Sequence, residues 1–290
     1  MRLMILSRAS KRRMTSALAK TTREILSEYA THMGTGHCRL VPLSVWEALV
    51  SQLCAVEGEK GGQAARPEGL ALLKDVQVAR PESFAPLCQW RAELVEPLFG
   101  NPICVADIKG RARELAALRE NDATTPATPA TTPFLIADVR RFGCELSPAC
   151  RLGARLAVDA DPGFPGFVVV GIAKHAHPQI AEVVETAAVD ADSVQAAPGS
   201  DEAREARRTS RHRANDAAAV IAAYLRAHPK VVQLRYPGLK DTEQFKIAST
   251  QLIGGFGPII DVQTQDQPGI WRRLEANDTD PKQQILKLAL

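Results

Sequence analysis

Between Asn215 and Val262 the chain alternates segments that suit only a helix with segments that suit only a strand, and each change is marked by a residue that forbids continuation. Asn215 or Asp216 can cap a helix of Ala, Val, Ile and Leu that carries to Ala227, because a short side-chain oxygen satisfies orphan amides at a helix start. Pro229 ends it. Its ring drives His228 into extended backbone, so Val231, Val232, Leu234 and Tyr236 read as a strand. Pro237-Gly238 turns the chain and a second helix follows. Gly254, Gly255 and Gly257 then permit positive φ or close backbone contact before Pro258-Ile259-Ile260-Asp261-Val262, a further strand. This order predicts a small α+β domain at the C-terminal end.

Length and composition bound the rest. With 290 residues the chain can hold one large domain or two modest ones, each with its own apolar core. A formal charge of +3 and an aromatic fraction of 5% give neither the basic surface nor the stacking platforms of a nucleic-acid binder. No uninterrupted apolar run is long enough to cross a bilayer, so neither nucleic acid nor membrane is expected as a partner. The six cysteines are scattered without CxxC pairs, which fits reduced thiols in a cytoplasmic compartment. His37-Cys38 and His175/His177 are the only tight His or Cys groupings; they read as surface or loop residues, and no metal is expected.

The chain divides into three parts. Residues 1–40 form a basic leader with seven Arg or Lys and no acid before Glu24, a composition shared by organelle-targeting peptides and solvated basic helices. Residues 41–195 carry strands alternating with helices and a Thr/Pro tract at 122–133, which suits an extended insert. Within it, Phe167-Val168-Val169-Val170-Gly171-Ile172 is a short apolar run of the kind buried on both faces of a sheet. A polar stretch at 195–213, whose charges begin a helix, leads to the third part, 210–290. The fold class is therefore α/β: a mostly parallel sheet covered by helices, followed by a smaller C-terminal α+β domain.

The segment from Ala223 to Gln263 resembles the start of the C-terminal domain of the Cys/Met-metabolism enzymes that use pyridoxal 5'-phosphate, such as cystathionine γ-synthase, cystathionine lyases and O-acetylhomoserine sulfhydrylase. Upstream, Glu96-Pro97-Leu98-Phe99-Gly100-Asn101-Pro102 with Val105-Ala106-Asp107-Ile108 resembles a strand of that family ending in Glu and Asn-Pro, followed by V-x-D-I and a helix. The resemblance implies a type I aminotransferase-like large domain, here incomplete, and pyridoxal phosphate as cofactor. It also implies a homo-oligomer acting on a small amino-acid substrate.

Four residues inherit roles from the resemblance. Asn101 lies where the family has an Asn beside the cofactor ring. Lys174, following Val170-Gly171-Ile172-Ala173, stands for the Schiff-base lysine of an S-x-T-K motif, a task that needs an amine of lowered pKa in a poorly solvated pocket. Asp122, ahead of Thr132-Pro133-Phe134, stands for the carboxylate that pairs with the pyridinium nitrogen. Arg273, in Ile270-Trp271-Arg272-Arg273-Leu274, stands for the arginine that forks onto the substrate α-carboxylate.

The sequence also departs from the family. Gly171 and Ala173 replace the hydroxyl residues that flank its lysine. On the N-terminal side its S-G-M-A-A phosphate turn and Tyr-x-Arg are missing, leaving only Ala55-Val56-Glu57-Gly58 with Gly61-Gly62 as a remnant-like phrase. Two functions follow: a transsulfuration-type enzyme performing γ-replacement or elimination on a homoserine ester or thioether amino acid, as transferase or lyase, or a shortened, non-catalytic homologue that is an association module or a gene remnant.

Overall fold

The computed structural model describes residues 20–54, 92–121 and 133–288, and for 118–121 the backbone alone. Asp122, the Ala55–Gly62 phrase, the Thr/Pro tract before Pro133 and the leader up to residue 19 lie outside the described residues.

The first helix, α1 (Thr22–Met33), is fixed at both ends. Thr21 and Glu24 form a reciprocal capping box, and Gly34 at φ 73° closes the helix in the left-handed conformation. Its face of Ile25, Leu26, Tyr29, Ala30 and Met33 is buried. The chain continues through β1 (His37–Pro42), α2 (Leu43–Leu53), β2 (Ala92–Val95), the hairpin β3 (Leu98–Phe99) and β4 (Cys104–Val105), and α3 (Ile108–Asn121). Then come β5 (Phe134–Asp138), β6 (Leu156–Asp159), β7 (Phe167–Ile172) and α4 (Pro178–Ala187).

Five of these strands make one sheet in the order β1-β7-β6-β5-β2. β2, β5 and β6 run parallel, whereas β7 is antiparallel to both β6 and β1. β1 therefore shares the direction of β6, and β7 alone opposes the rest. Period-two alternation divides the strands between two cores, as a sheet buried on both faces requires. Leu135, Ala137, Ala157 and Val169 pack with α1 and α3. Phe134, Ile136, Leu156, Val158, Val168 and Val170 pack with Trp46 and Leu49 of α2 and Ile180 and Val184 of α4.

Downstream, α5 (Ser200–Ala227) leads into β8 (Val231–Arg235), α6 (Glu243–Gln251), β9 (Ile259–Thr264), β10 (Arg272–Glu275) and α7 (Pro281–Leu286). The three strands form a separate antiparallel sheet, β10-β9-β8. Ala217, Ala218, Ile221, Ala222 and Leu225 of α5 pack against Ile260, Tyr236 and Leu274 in a core of their own. The α/β class and the smaller second sheet are as the sequence indicates. One element differs: α5 starts at Ser200 behind Gly199, so Asn215 and Asp216 lie mid-helix and cap nothing. The charged run 201–213 holds helix because its Arg and acidic residues pair one turn apart, Arg204 with Asp201 and Arg208 with Glu205.

Gly171, next to last in β7, is required by close approach. A Cβ there would lie 2.6 Å from Met33 Sδ and 2.7 Å from Thr35 Cγ2. Gly171→Ala is expected to force α1 away from the sheet and cost about 1–3 kcal/mol, measurable as a lowered urea midpoint at unchanged m-value.

Candidate functional site

Strand directions define two edges of the large sheet. Val95, Asp138, Asp159 and Pro42 close the carboxyl edge, while Ile172, Leu156, His37 and Phe134 stand at the other. In open α/β sheets ligands bind outside the carboxyl ends of the strands.

Asn101 and Arg273 meet on the carboxyl side. β2 hands the chain through Glu96 and Pro97 to the β3–β4 hairpin, and Asn101 sits exposed at its tip, joined to Pro102 by a cis peptide bond. Asp261, fully buried in β9, joins this tip to the small sheet. Its oxygens accept from Ile103 N–H, from Arg273 Nε at 2.9 Å and from Arg273 Nη2 at 2.7 Å. Arg273 Nη2 also donates to the Gly100 carbonyl. The guanidinium fork is thus used inside the protein, and the Asp261 carboxylate pushes the Arg273 pKa above its ordinary value. Arg273 is a structural clamp in this structure, a correction to its reading as a free receptor for a substrate carboxylate.

Lys174 falls elsewhere. Because β7 runs against its neighbours, its end at Ile172 lies beside His37 and Leu156, at the edge opposite Asn101. The turn that follows is tied to the start of β6: Ala173 N–H donates to Arg155 O at 2.9 Å, and Arg155 Nη1 to His175 O at 2.9 Å. Lys174 is exposed, its stem against the Gly36 backbone. Six residues of β7 span about 20 Å, so Lys174 shares no pocket with Asn101 and Arg273, and its reading as an amine in a poorly solvated pocket is corrected. The cause is strand direction, which an apolar hexamer does not reveal.

The residues that do gather at the carboxyl edge are others. Asp138, ending β5, is gripped by Arg140 Nε at 3.0 Å and Nη2 at 2.6 Å. Beside it, burial and the Asp138 charge push the Glu96 pKa up. Asp159, ending β6, is fully buried; its oxygens accept from Cys144 N–H at 2.8 Å and Ala160 N–H at 2.7 Å. Across this edge α5 lays Arg204, Arg207, Arg208 and Arg211, which recur on one helical face. Arg204 binds Asp161 at 3.0 Å; Arg207 reaches Ala160 O at 2.6 Å and Tyr29 Oη at 3.2 Å. Arg208 and Arg211 flank Glu145, and Arg211 also donates to Arg140 O at 3.1 Å. An Asp closing the apolar pentamer Phe134–Asp138 was the available signal for this edge. A stripe of arginines facing inward leaves no apolar periodicity to detect.

The chemistry available there is that of a neutralised, closed edge. Cavities of about 10 Å³ each remain on either side of Arg208, one lined by Phe142, Glu145, Arg211 and His212, the other by Glu28, Tyr29, His32 and Arg204. Each holds one water at most. Cys144 Sγ, a Glu145 oxygen and an Asp159 oxygen lie within 4.8 Å of one another. Burial pushes the Cys144 thiol well above its ordinary pKa, and two guanidiniums neutralise Glu145, so this trio suits neither a nucleophile nor a cation site. Burial outweighs the nearby Arg211 and Arg207 charges at Asp159 and raises its pKa to about 6.

Comparison with known proteins supports the lineage. Residues 207–277 match the family of Cys/Met metabolism PLP-dependent enzymes, whose cofactor is pyridoxal phosphate. No curated protein sequence matches the chain at a significant level. Among solved structures, a methionine gamma lyase from Micromonospora echinospora is similar at 15% identity and TM-score 0.57, over 92% of this chain and 85% of that one. An O-acetylhomoserine sulfhydrylase of Wolinella succinogenes is similar at 14% identity and TM-score 0.55, over 84% and 77%. A cystathionine gamma-lyase from Lactobacillus plantarum is similar at 18% identity and TM-score 0.53, over 86% and 67%. At these identities the likeness establishes a common fold.

Pyridoxal phosphate, the cofactor of the matched family, does not fit the two cavities beside Arg208, whereas a wider cleft of about 570 Å³ lies at the start of α5, lined by Lys20, Thr22, Val194, Ser200 and Asp201. Neither cavity beside Arg208 is lined by a lysine, and each is far smaller than the roughly 300 Å³ of an ordinary ligand pocket.

Two measurements check this geometry. Arg273→Ala leaves the fully buried Asp261 without its cation and is expected to cost about 3 kcal/mol in chemical denaturation; a free surface arginine at this position would give a change within about 0.5 kcal/mol. For Asp159, a raised folded pKa means that its contribution to stability is fully present below its ordinary value of 3.8 and is lost as pH rises through about 6. The stability of Asp159→Asn minus that of the parent protein should therefore rise between pH 4 and pH 7, by roughly 3 kcal/mol.

Proposed function

We propose that this chain is a non-catalytic homologue of the pyridoxal-phosphate enzymes of cysteine and methionine metabolism, retaining their fold for association. The observation that carries this reading is the separation of the expected chemistry: Lys174 stands at one edge of the sheet and Asn101 and Arg273 at the other. Supporting it, Arg273 is held by Asp261, and Asp138 and Glu145 are held by Arg140, Arg208 and Arg211, so the edge where substrate would bind presents charges already paired with one another.

An active transsulfuration-type enzyme, working on a homoserine ester or a thioether amino acid, is the second reading. It is favoured by the family match over residues 207–277. In that case pyridoxal phosphate would supply an electron sink for chemistry at the substrate's α and β carbons. A lysine amine would have to reach the carboxyl edge to hold it.

Absorbance titration of the purified protein with pyridoxal phosphate separates the two. The non-catalytic reading predicts no saturable visible band, no bleaching by borohydride beyond that of free cofactor, and identical spectra for Lys174→Ala. A saturable, borohydride-sensitive band would establish the enzymatic reading, and its loss in Lys174→Ala would assign the amine.

A further inference from the structure

β8 is the last strand of the small sheet on its side, hydrogen-bonded to β9 alone. An edge strand turns the N–H and C=O groups of alternate residues outward, where water or an added strand satisfies them. From Val232 to Arg235, β8 makes no backbone hydrogen bond to any described element other than β9. The edge is also shaped. An open groove of about 260 Å³ is lined by Val231, Val232, Gln233 and Leu234, together with Leu239 and Thr242 from the turn that follows the strand. Successive side chains of a strand point to opposite faces, so a groove touched by four consecutive residues runs along the edge and not over one face. Those four residues offer about 13 Å of strand.

Side chains and charge indicate the occupant. The register shift between Val231 and Gln233 is a bulge that turns Val232 outward, 54% exposed. With the half-buried Val231, Leu234 and Leu239 it makes the groove apolar. The charge beside it is basic. Arg235 and Lys240 are exposed and have no ion partner among the described residues, and Arg226 shares its charge with Asp241 in an exposed pair. An added strand that alternates apolar and acidic residues satisfies the main chain, fills the groove with one set of side chains and meets the cations with the other. A second copy of β8 would bring the same cations and set them against their own kind.

We infer that the free edge of β8 receives an extended acidic peptide by strand addition, the partner being a protein segment in which apolar residues alternate with Asp or Glu. Main-chain pairing supplies the affinity, and the alternation supplies the choice of partner. The inference goes beyond the proposed reading of the large sheet, since it uses no residue of that sheet's carboxyl edge and no cofactor. It gives a non-catalytic homologue a surface by which to associate, and it holds equally for an active enzyme.

Fluorescence anisotropy of the full chain with a fluorescein-labelled octapeptide of alternating Val and Glu tests this. Saturable binding is expected, weakened by about tenfold or more when the peptide is N-methylated at every amide or when the protein carries Val232→Asp. Arg235→Glu combined with Lys240→Glu should reverse the preference, favouring a peptide of alternating Val and Lys over the Val/Glu one. Circular dichroism of both variants should match the parent, because all three positions are exposed. Absence of saturable binding, equal binding of the N-methylated peptide, or an unchanged preference in the double variant overturns the inference. So does self-association of the chain that Val232→Asp abolishes and the peptide fails to compete with, which would give the edge to a second copy. No pyridoxal phosphate enters the assay, so its result and the spectroscopic result stand apart.

Discussion

The contact between the arginine stripe of α5 and the carboxyl edge of the large sheet governs most of this structure. Asp159 and Asp161 sit at or just beyond the end of β6, Glu145 in the loop after β5, and all three are at least partly withdrawn from water. Withdrawn carboxylates need cations or donors. Arg204, Arg208 and Arg211 supply the charge, while Arg207 reaches the Ala160 carbonyl and the Tyr29 hydroxyl instead. One helix thereby neutralises the sheet edge with its first half and builds the core of the small sheet with its second. The same contact leaves water-sized cavities on either side of Arg208.

A shared fold does not by itself fix what the sheet edge carries. Function resides in sites carried by folds, not in the folds themselves, and the strand framework here is compatible with several outcomes at its rim. Asp261 illustrates the point. In β9 it draws in Arg273, the Ile103 amide and, through Arg273, the Gly100 carbonyl. That network fixes the hairpin tip bearing Asn101 against the small sheet, a structural gain obtained with a guanidinium that could otherwise face a substrate.

The sequence made some of this legible. Pro229, Pro237-Gly238 and the glycines before Pro258 bound β8, α6 and β9 because each stops a helix or strand by a local mechanism that tertiary context rarely overrides. The apolar hexamer Phe167–Ile172 identified β7 because a strand buried on both faces needs apolar residues throughout. Its direction was another matter. Nothing in Val168, Val169 or Val170 says whether the strand runs with or against its neighbours, and that single property moves Lys174 from one edge to the other. The start of α5 was hidden for a related reason: Asp201 to Arg213 carries no apolar period, since what it turns inward is charge. Asp138 closes an apolar strand, a signal the sequence carries, whereas Asp122 rests on the resemblance alone and lies outside the described residues.

On the proposed reading, no lysine among the described residues holds pyridoxal phosphate at the carboxyl edge. Reduction of the protein with borohydride in the presence of the cofactor, followed by digestion and mass mapping of every lysine, addresses it directly. The account predicts only sparse labelling spread over exposed lysines, Lys174 among them without preference. Stoichiometric labelling of one lysine, retained under competition by free amine, would contradict it.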